Sequence, residues 1–460
     1  MDIKIYGPPG TGKTTYLLGC VEQALERYDP SQVAFVSYTR NGTYEGVTRA
    51  CEKFGLTRRK LPYFKTIHAL CFASLGIKKA QVFNYTHCRQ FSSVVGFNFN
   101  GCYSPELKGS DDLYLFATQL AQENPEYCVR LIQDLDAAKL AYISVNYKTY
   151  KNVTGTIDYT DMLLQYLKHG KTLPVKVACI DEAQDLTPLQ WRVVNKMFAD
   201  CELVYLAGDD DQAIYEWAGA DPRQFVSRGD KTVVLDQSWR LPAKVHALAE
   251  TVLKNISERA PKEYRTTGDE GEVCRLVEWH DMDINHDEDT LILSRNNCWL
   301  KGAADALREK GIPFFRKNEL SYDPKVIKAI HAYEAARKDP GNEGKRYRRK
   351  LYKDYFKALK KDVPWFEVLN LESDDTAYYR AMFANKVDFE RQPRIRLNTI
   401  HASKGSEADH VIMCLDVTRN VHNALLKNPD SEWRCAYVGS TRAKKRLTVK
   451  LQASKYGYPL

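Results

Sequence analysis

Within the first fifteen residues stands the run Gly7, Pro8, Pro9, Gly10, Thr11, Gly12, Lys13, Thr14, Thr15. It fills the pattern G-x-x-x-x-G-K-[ST], whose glycines let successive backbone N–H groups close around phosphate oxygens. The Lys13 ammonium can reach the β- and γ-phosphates, and the Thr14 hydroxyl can ligate Mg²⁺. A second acidic run, Asp181-Glu182-Ala183-Gln184-Asp185, closes an apolar stretch. Phosphoryl transfer needs a carboxylate for the metal and a group that orients or deprotonates water, and Asp181 and Glu182 offer both. Alone, such a string also reads as an acidic helix start favoured by the helix dipole. Beside the phosphate loop it completes an ATPase site using ATP and Mg²⁺, with Thr14 and Asp181 as the metal ligands.

These groups need elements to hold them. Asp2 to Tyr6 reads as a strand feeding the loop, and Tyr16 to Arg27 as the helix that follows. Val33 to Thr39, Val175 to Ala183 and Glu202 to Gln212 are further apolar runs that end in polar residues. That is the pattern of buried parallel strands carrying functional residues at their carboxyl ends. A later set, KTVVLDQ, TLILS, IRLNTIH, DHVIMCLD and RLTVKL, predicts a second sheet. The expected fold class is therefore α/β, with two parallel-sheet lobes, each with a mainly helical insertion. The boundaries expected are 1–74 and 151–230 for the first lobe, with an insertion at 75–150. The second lobe takes 231–316 and 392–460, with a short insertion at 317–391.

Composition sets the outer limits. The 460 residues suffice for about three average domains. Hydrophobic residues at 44% and charged residues at 27% exclude a disordered or fibrous chain. The net charge of +8 suits a polyanionic partner or a plain solubility surface. No leader pattern and no long apolar run stands in the sequence, so the expectation is a cytoplasmic protein with no membrane partner. Twelve cysteines are scattered without a CxxC pair, which predicts reduced thiols rather than a zinc or iron–sulfur site. His68 and His401 are not expected to bind metal.

GPPGTGKTT, TIHALCF, DYTDML, DEAQD, GDDDQAIYEWAGA, Ser238-Trp239-Arg240, TIHASKGSEAD and YVGSTRAKKRL follow one another in that order. Together they resemble superfamily 1 helicases of the UvrD/Rep/PcrA type, which implies that the two parallel-sheet lobes are RecA-like. The resemblance implies that Gln212 senses the γ-phosphate and couples it to DNA, and that Arg240 and Arg442 are arginine fingers from the second lobe. It implies that Trp239 stacks on adenine where the family usually has a tyrosine, and that Glu407 lies near the ribose. It assigns DNA contacts to Tyr215 and Trp217, and to Tyr38, Thr66, His68, His401 and Lys404. The family's upstream glutamine-containing motif, which reads the adenine edge, has no counterpart here, so ATP and other nucleotides stay open as substrates.

The activity implied is ATP-dependent 3′–5′ helicase or translocase work on single-stranded DNA and single-strand/duplex junctions, in a bacterial or phage-infected cell. A translocase that strips proteins without unwinding, or an ATP-gated loading factor, are the alternatives. From Arg337 to Lys361 the chain carries eleven Lys and Arg against three acidic residues, with Tyr347, Tyr352, Tyr355 and Phe356 interleaved. That run reads either as a nucleic-acid surface or as a solvated helix face.

Overall fold

A computed structural model describes residues 1–38, 40–101, 111–133, 135–338, 355–356 and 362–460. Most of the basic run, with Tyr347 and Tyr352, lies outside the described residues. The chain divides into two compact units. The first comprises Met1–Leu241, Leu253–Asp269 and Asn428–Tyr437, and the second Pro242–Val252, Glu270–Lys427 and Val438–Leu460.

Six strands make the sheet of the first unit: β1 (Asp2–Tyr6), β2 (Val33–Ser37), β3 (Phe64–Lys65), β4 (Val177–Asp181), β5 (Leu203–Gly208) and β6 (Lys231–Val234). Their order is β3-β2-β4-β5-β1-β6, and every pair is parallel. β5 thus separates the strand that feeds the phosphate loop from the strand that ends in Asp181. The central strands are buried on both faces, and alternate residues feed two cores. Ile5, Phe35, Cys179 and Ala207 pack with Leu17, Val21 and Ala24 of the helix Lys13–Leu25. Tyr6, Val36, Ile180 and Leu206 turn the other way, onto Leu70, Leu163, Trp191 and Val194. Phe91, Phe99, Leu115, Ile143 and Tyr147 contribute a small cluster of their own, with Phe91 stacked on Phe99 at a centroid distance of 5.3 Å.

The second unit holds β7 (Glu272–Leu276), β8 (Thr290–Ser294), β9 (Phe315–Arg316), β10 (Glu319–Leu320), β11 (Ile395–Thr399), β12 (Ala408–Cys414) and β13 (Ala443–Lys450). They run in the order β10-β9-β11-β8-β12-β13-β7, parallel except for the β9–β10 hairpin. Tyr322, Ile330, Tyr333, Tyr378 and Met382 pack in a separate apolar cluster. The α/β class, with two RecA-like lobes, is what the sequence predicts.

Three placements differ from the sequence reading. Lys231–Val234 was expected in the second sheet but pairs with β1 at the edge of the first, its residues largely exposed. A strand pattern does not say which sheet it joins. Arg240, expected from the second lobe, and Asn428–Tyr437, expected within it, both group with the first unit. The reason is specific bonding to the phosphate loop and to the 209–216 segment, described below. Among the described residues no disulfide joins any cysteine pair, and no helix is long and apolar enough to cross a membrane.

Phe35 is fully buried and stacks on Phe64 at 5.8 Å in the core under the helix Lys13–Leu25. Replacing Phe35 by Ala is expected to cost about 3–5 kcal/mol. Denaturant melts of parent and variant will read this as a lowered midpoint for the transition of the first unit.

Candidate functional site

Strand register decides where the chemistry sits. Tyr6 pairs with Gly208, Ile180 with Leu206, and Ser37 with Asp181. The carboxyl ends of four neighbouring strands therefore open at one edge, where ligands bind in parallel α/β sheets. Leaving β1, the Gly7 N–H donates to the Gly208 carbonyl at 3.0 Å, and the Lys13 Nζ donates to the Gly7 carbonyl at 2.7 Å. The loop is thus already curled around its lysine. A Cβ on Gly7 would stand 1.9 Å from Lys13 Cγ, so that position cannot carry a side chain. Gly10 has φ +74°, and its Cβ would meet Arg240 Cβ at 2.3 Å.

The second contact shows what lies over the loop. The Ser238 hydroxyl donates to the Pro9 carbonyl at 2.8 Å, and the Trp239 N–H donates to the Gly10 carbonyl at 2.8 Å. Ser238 is buried, whereas Trp239 is 76% exposed. Arg240 follows within the same unit. Thr11 is buried with its hydroxyl on the Pro8 carbonyl, and Thr15 sits exposed within reach of Arg49.

At the end of β4 the Thr14 hydroxyl donates to Asp181 Oδ2 at 2.8 Å. Burial first, and then the adjoining Glu182 carboxylate, pushes Asp181 up to about 6. A cation at this point would reverse that tendency. Two hard oxygens side by side at the phosphate loop fit Mg²⁺, which takes one or two protein oxygens and completes its shell with water and phosphate. Among the described residues no group of three His, Cys, Asp or Glu forms a fuller cage. Glu182 itself has φ +55°, in the left-handed region a non-glycine residue rarely occupies. Its carboxylate accepts from Gln184 Nε2 at 2.6 Å, and the Gln184 carbonyl oxygen accepts from the Asp209 N–H at 3.1 Å. Gln184, fully buried, ties the Glu182 carboxylate to the next strand end.

That strand end is Gly208 followed by Asp209, Asp210, Asp211 and Gln212, all nearly fully buried. Gln212 Nε2 donates to Asp209 Oδ2 at 2.7 Å. Three adjacent buried carboxylates demand a cation, and Lys262 supplies it. Its side chain is 1% exposed, with Nζ 3.1 Å from Asp209 and 2.9 Å from Asp211, and bonded also to Asp210. Burial acts to lower the Lys262 pKa, but the three carboxylates outweigh it and raise it above the usual lysine value. Arg259 adds a two-pronged contact to Asp211, at 2.9 and 2.7 Å.

Beyond Gln212 the rings begin. Tyr215 lies 5.6 Å from Tyr38 and 6.5 Å from Trp217, which lies 6.4 Å from Phe116. This half-buried row extends from the same sheet edge. Thr66 caps the helix Ile67–Ser74, accepting from the Ala69 N–H at 3.2 Å. His68 lies partly buried on the same helix. Its Nε2 is sealed from solvent without a hydrogen-bond partner among the described residues, and its ring packs edge-on to Tyr159 at 5.4 Å. A partly apolar helix face carried it inward.

The remaining candidates belong to the second unit. His401 and Lys404 bracket the short turn after β11, and Glu407 precedes β12 with Lys444 at 3.9 Å. Arg442 is 2% exposed and donates from Nε to the Val438 carbonyl at 2.8 Å. Sequence reading assigned no role to Gln184, Ser238, Arg259, Lys262, Glu216 or Arg434. Only the triple aspartate gave a signal, because such a run must find a buried cation.

A phosphate loop and an Asp-Glu pair two strands apart, at the carboxyl edge of a parallel sheet with β5 between them, define a RecA-like P-loop nucleotide-binding protein. Residues 108–232 match the UvrD/REP helicase N-terminal domain, and residues 380–454 match the UvrD-like helicase C-terminal domain. Over these two stretches the chain is similar to helicases of the UvrD/Rep/PcrA type of superfamily 1. It is 23% identical over 367 residues to the ATP-dependent DNA helicase PcrA of Staphylococcus aureus, covering 70% of this chain and 50% of that protein. The PcrA of Staphylococcus epidermidis is 22% identical over the same length and shares. The chain thus spans about half the length of the curated relatives it matches. Among solved structures, the arterivirus nonstructural protein 10 helicase aligns at 11% identity and a TM-score of 0.37, over 99% of this chain and 60% of its own.

Burial pushes His68 down to about 4 from its ordinary 6.5. Between those values the unfolded chain takes up a proton that the folded chain refuses, so this residue lowers stability progressively as pH falls from 6.5 to 4. His410, also held near 4, acts the same way. A His68→Phe variant is therefore expected to show a shallower loss of stability across that window in pH-dependent denaturant melts, with the His410 contribution remaining.

Proposed function

We propose that this chain is an ATP-driven motor on single-stranded DNA, stepping 3′ to 5′ and separating strands at single-strand/duplex junctions. The observation that carries the reading is the single continuous segment from Asp209 to Trp217. It begins beside the nucleotide loop, with Gln212 bonded to Asp209, and ends in the ring row of Tyr215 and Trp217. One short piece of chain thus serves a phosphate-sensing group and a base-stacking platform.

In this reading the backbone of Gly7, Pro8, Pro9, Gly10, Thr11 and Gly12 cradles the phosphates, with Thr15 at the start of the helix. Thr14 and Asp181 hold Mg²⁺, which supplies charge neutralisation at the β- and γ-phosphates. Lys13 binds the γ-phosphate, and Glu182 orients and deprotonates the attacking water. Trp239 offers its exposed indole to the nucleobase, with Glu407 toward the ribose. Arg240 and Arg442 supply guanidinium charge to the transition state, a contribution of about 10³–10⁵ in rate where such fingers operate. Bases stack on Trp217 and Tyr215 in any sequence. Tyr38, Thr66, His401 and Lys404 complete the path of the strand.

Glu182→Gln is expected to lower ATP turnover by about 10²–10⁴-fold while nucleotide binding persists. The measurement is steady-state phosphate release with and without oligo-dT, beside titration with a fluorescent nucleotide; turnover that is indifferent to DNA in the parent rules out the motor. Trp217→Ala is expected to weaken single-strand binding by roughly 5- to 150-fold, the loss of one stacking platform. Fluorescence anisotropy with labelled oligo-dT reads that directly. Strand displacement from 3′-tailed but not 5′-tailed duplexes tests polarity, and a motor that hydrolyses on DNA yet displaces neither is a translocase.

A further inference from the structure

Glu216 stands between the two rings, in a tight turn where the Ala218 N–H donates to the Tyr215 carbonyl at 2.9 Å and the Gly219 N–H to the Glu216 carbonyl at 2.8 Å. Because the turn is closed by these bonds, whatever fixes Glu216 fixes Tyr215 and Trp217 too. Its carboxylate, 17% exposed, is bonded to the guanidinium of Arg434, which is 5% exposed. The other terminal nitrogen of Arg434 donates to the Glu258 carbonyl. Arg434 Nε is buried with no hydrogen-bond partner among the described residues.

Arg434 lies on the helix Pro429–Ser440, which ends just before Arg442. The start of that helix is gripped by the same neighbours: Asp430 accepts from the Ser257 N–H at 3.0 Å and from the Glu258 N–H at 2.7 Å. Immediately beyond Glu258 come Arg259 and Lys262, the cations that hold Asp209 to Asp211. Both ends of the 209–217 segment are therefore clamped by buried charge from residues 258–262 and 434. A cavity of about 410 Å³ is lined by Glu216, Arg434, Glu258, Arg259, Asp210 and Asp430, so the network has open space beside it rather than packed side chains.

A buried ion pair is a weak way to gain stability, since desolvation offsets much of the attraction and apolar residues would serve as well. Its value lies in direction: charge pairs specify one arrangement. We propose that the Arg434–Glu216 pair is a positioning device that sets the Tyr215 and Trp217 rings for the DNA strand and makes their occupancy felt in ATP hydrolysis. Neither residue meets nucleotide or base in this account. The inference rests on the motor reading above.

The test uses the full chain with Glu216→Gln, Arg434→Met, the double variant and the charge-keeping Arg434→Lys. ATP turnover is measured without DNA and across an oligo-dT titration, with circular dichroism melts to verify folding. DNA-free turnover is expected to stay within about twofold of the parent, while the oligo-dT concentration giving half-stimulation rises about tenfold in each single variant. The double variant should be no worse than the poorer single, because the pair acts as a unit, and Arg434→Lys should keep most of the response even if Arg434→Met folds poorly. An unaltered DNA response overturns the proposal. So does a proportional fall in DNA-free and DNA-stimulated turnover, or losses that simply add in the double variant. A parent with no DNA stimulation removes the motor reading itself, and that is known before any variant is made.

Discussion

Everything at this site depends on the register of parallel strands. Tyr6 beside Gly208 and Ile180 beside Leu206 bring the phosphate loop, the Asp181–Glu182 pair and the Asp209–Gln212 turn to one edge within hydrogen-bonding distance of each other. Parallel pairing puts all carboxyl ends on the same side, so the loops that follow different strands meet without long excursions. A slip of one residue in β4 would exchange Cys179 and Ile180 between the two cores and carry the Asp181 carboxylate away from Thr14. The apolar alternation that locks the sheet is thus also what places the Asp181 carboxylate beside Thr14.

Upon that register is built a layer of buried charge. Asp209, Asp210 and Asp211 against Lys262 and Arg259 form a cluster in which each ion has a partner of opposite sign. Such clusters bring little net stability, because removing ions from water costs much of what their attraction returns. What they do enforce is exclusivity. With its carboxylates committed, the turn has one low-energy shape, and Gln212 is presented with its amide fixed on Asp209. Glu182, held in a left-handed backbone and tied through Gln184 to the Asp209 N–H, is the second strained point stabilised by its surroundings.

The α/β class and the nucleotide loop could be read from the sequence because each rests on local information. Gly7 to Thr14 carries its geometry in its own residue types, and buried parallel strands declare themselves as apolar runs ending in polar residues. What was hidden depends on non-local pairing. Lys231–Val234 has the look of any strand, and only backbone bonding to β1 assigns it to the first sheet. Lys262 and Arg434 sit among many basic residues, and nothing in their neighbours distinguishes them from surface lysines and arginines. Arg240 was read by analogy as coming from the far side of the cleft. Yet the bonds of Ser238 and Trp239 to Pro9 and Gly10 make its stretch part of the loop's own unit.

The interleaving of the two units has a consequence for how the chain comes off the ribosome. It passes from one unit to the other after Leu241, Val252, Asp269, Lys427 and Tyr437, so the first unit is not a contiguous stretch. Asp209 to Asp211 must wait for Lys262, and Glu216 waits for Arg434, 218 residues later. At ordinary elongation rates of about 5–20 residues per second that interval is roughly 10 to 45 s. Arg259 and Lys262 reach the three aspartates early in that interval, whereas the Glu216 carboxylate waits through all of it for its counter-ion. The nascent chain therefore passes through a stage at which the phosphate loop can be formed while the turn carrying Tyr215 and Trp217 remains unset.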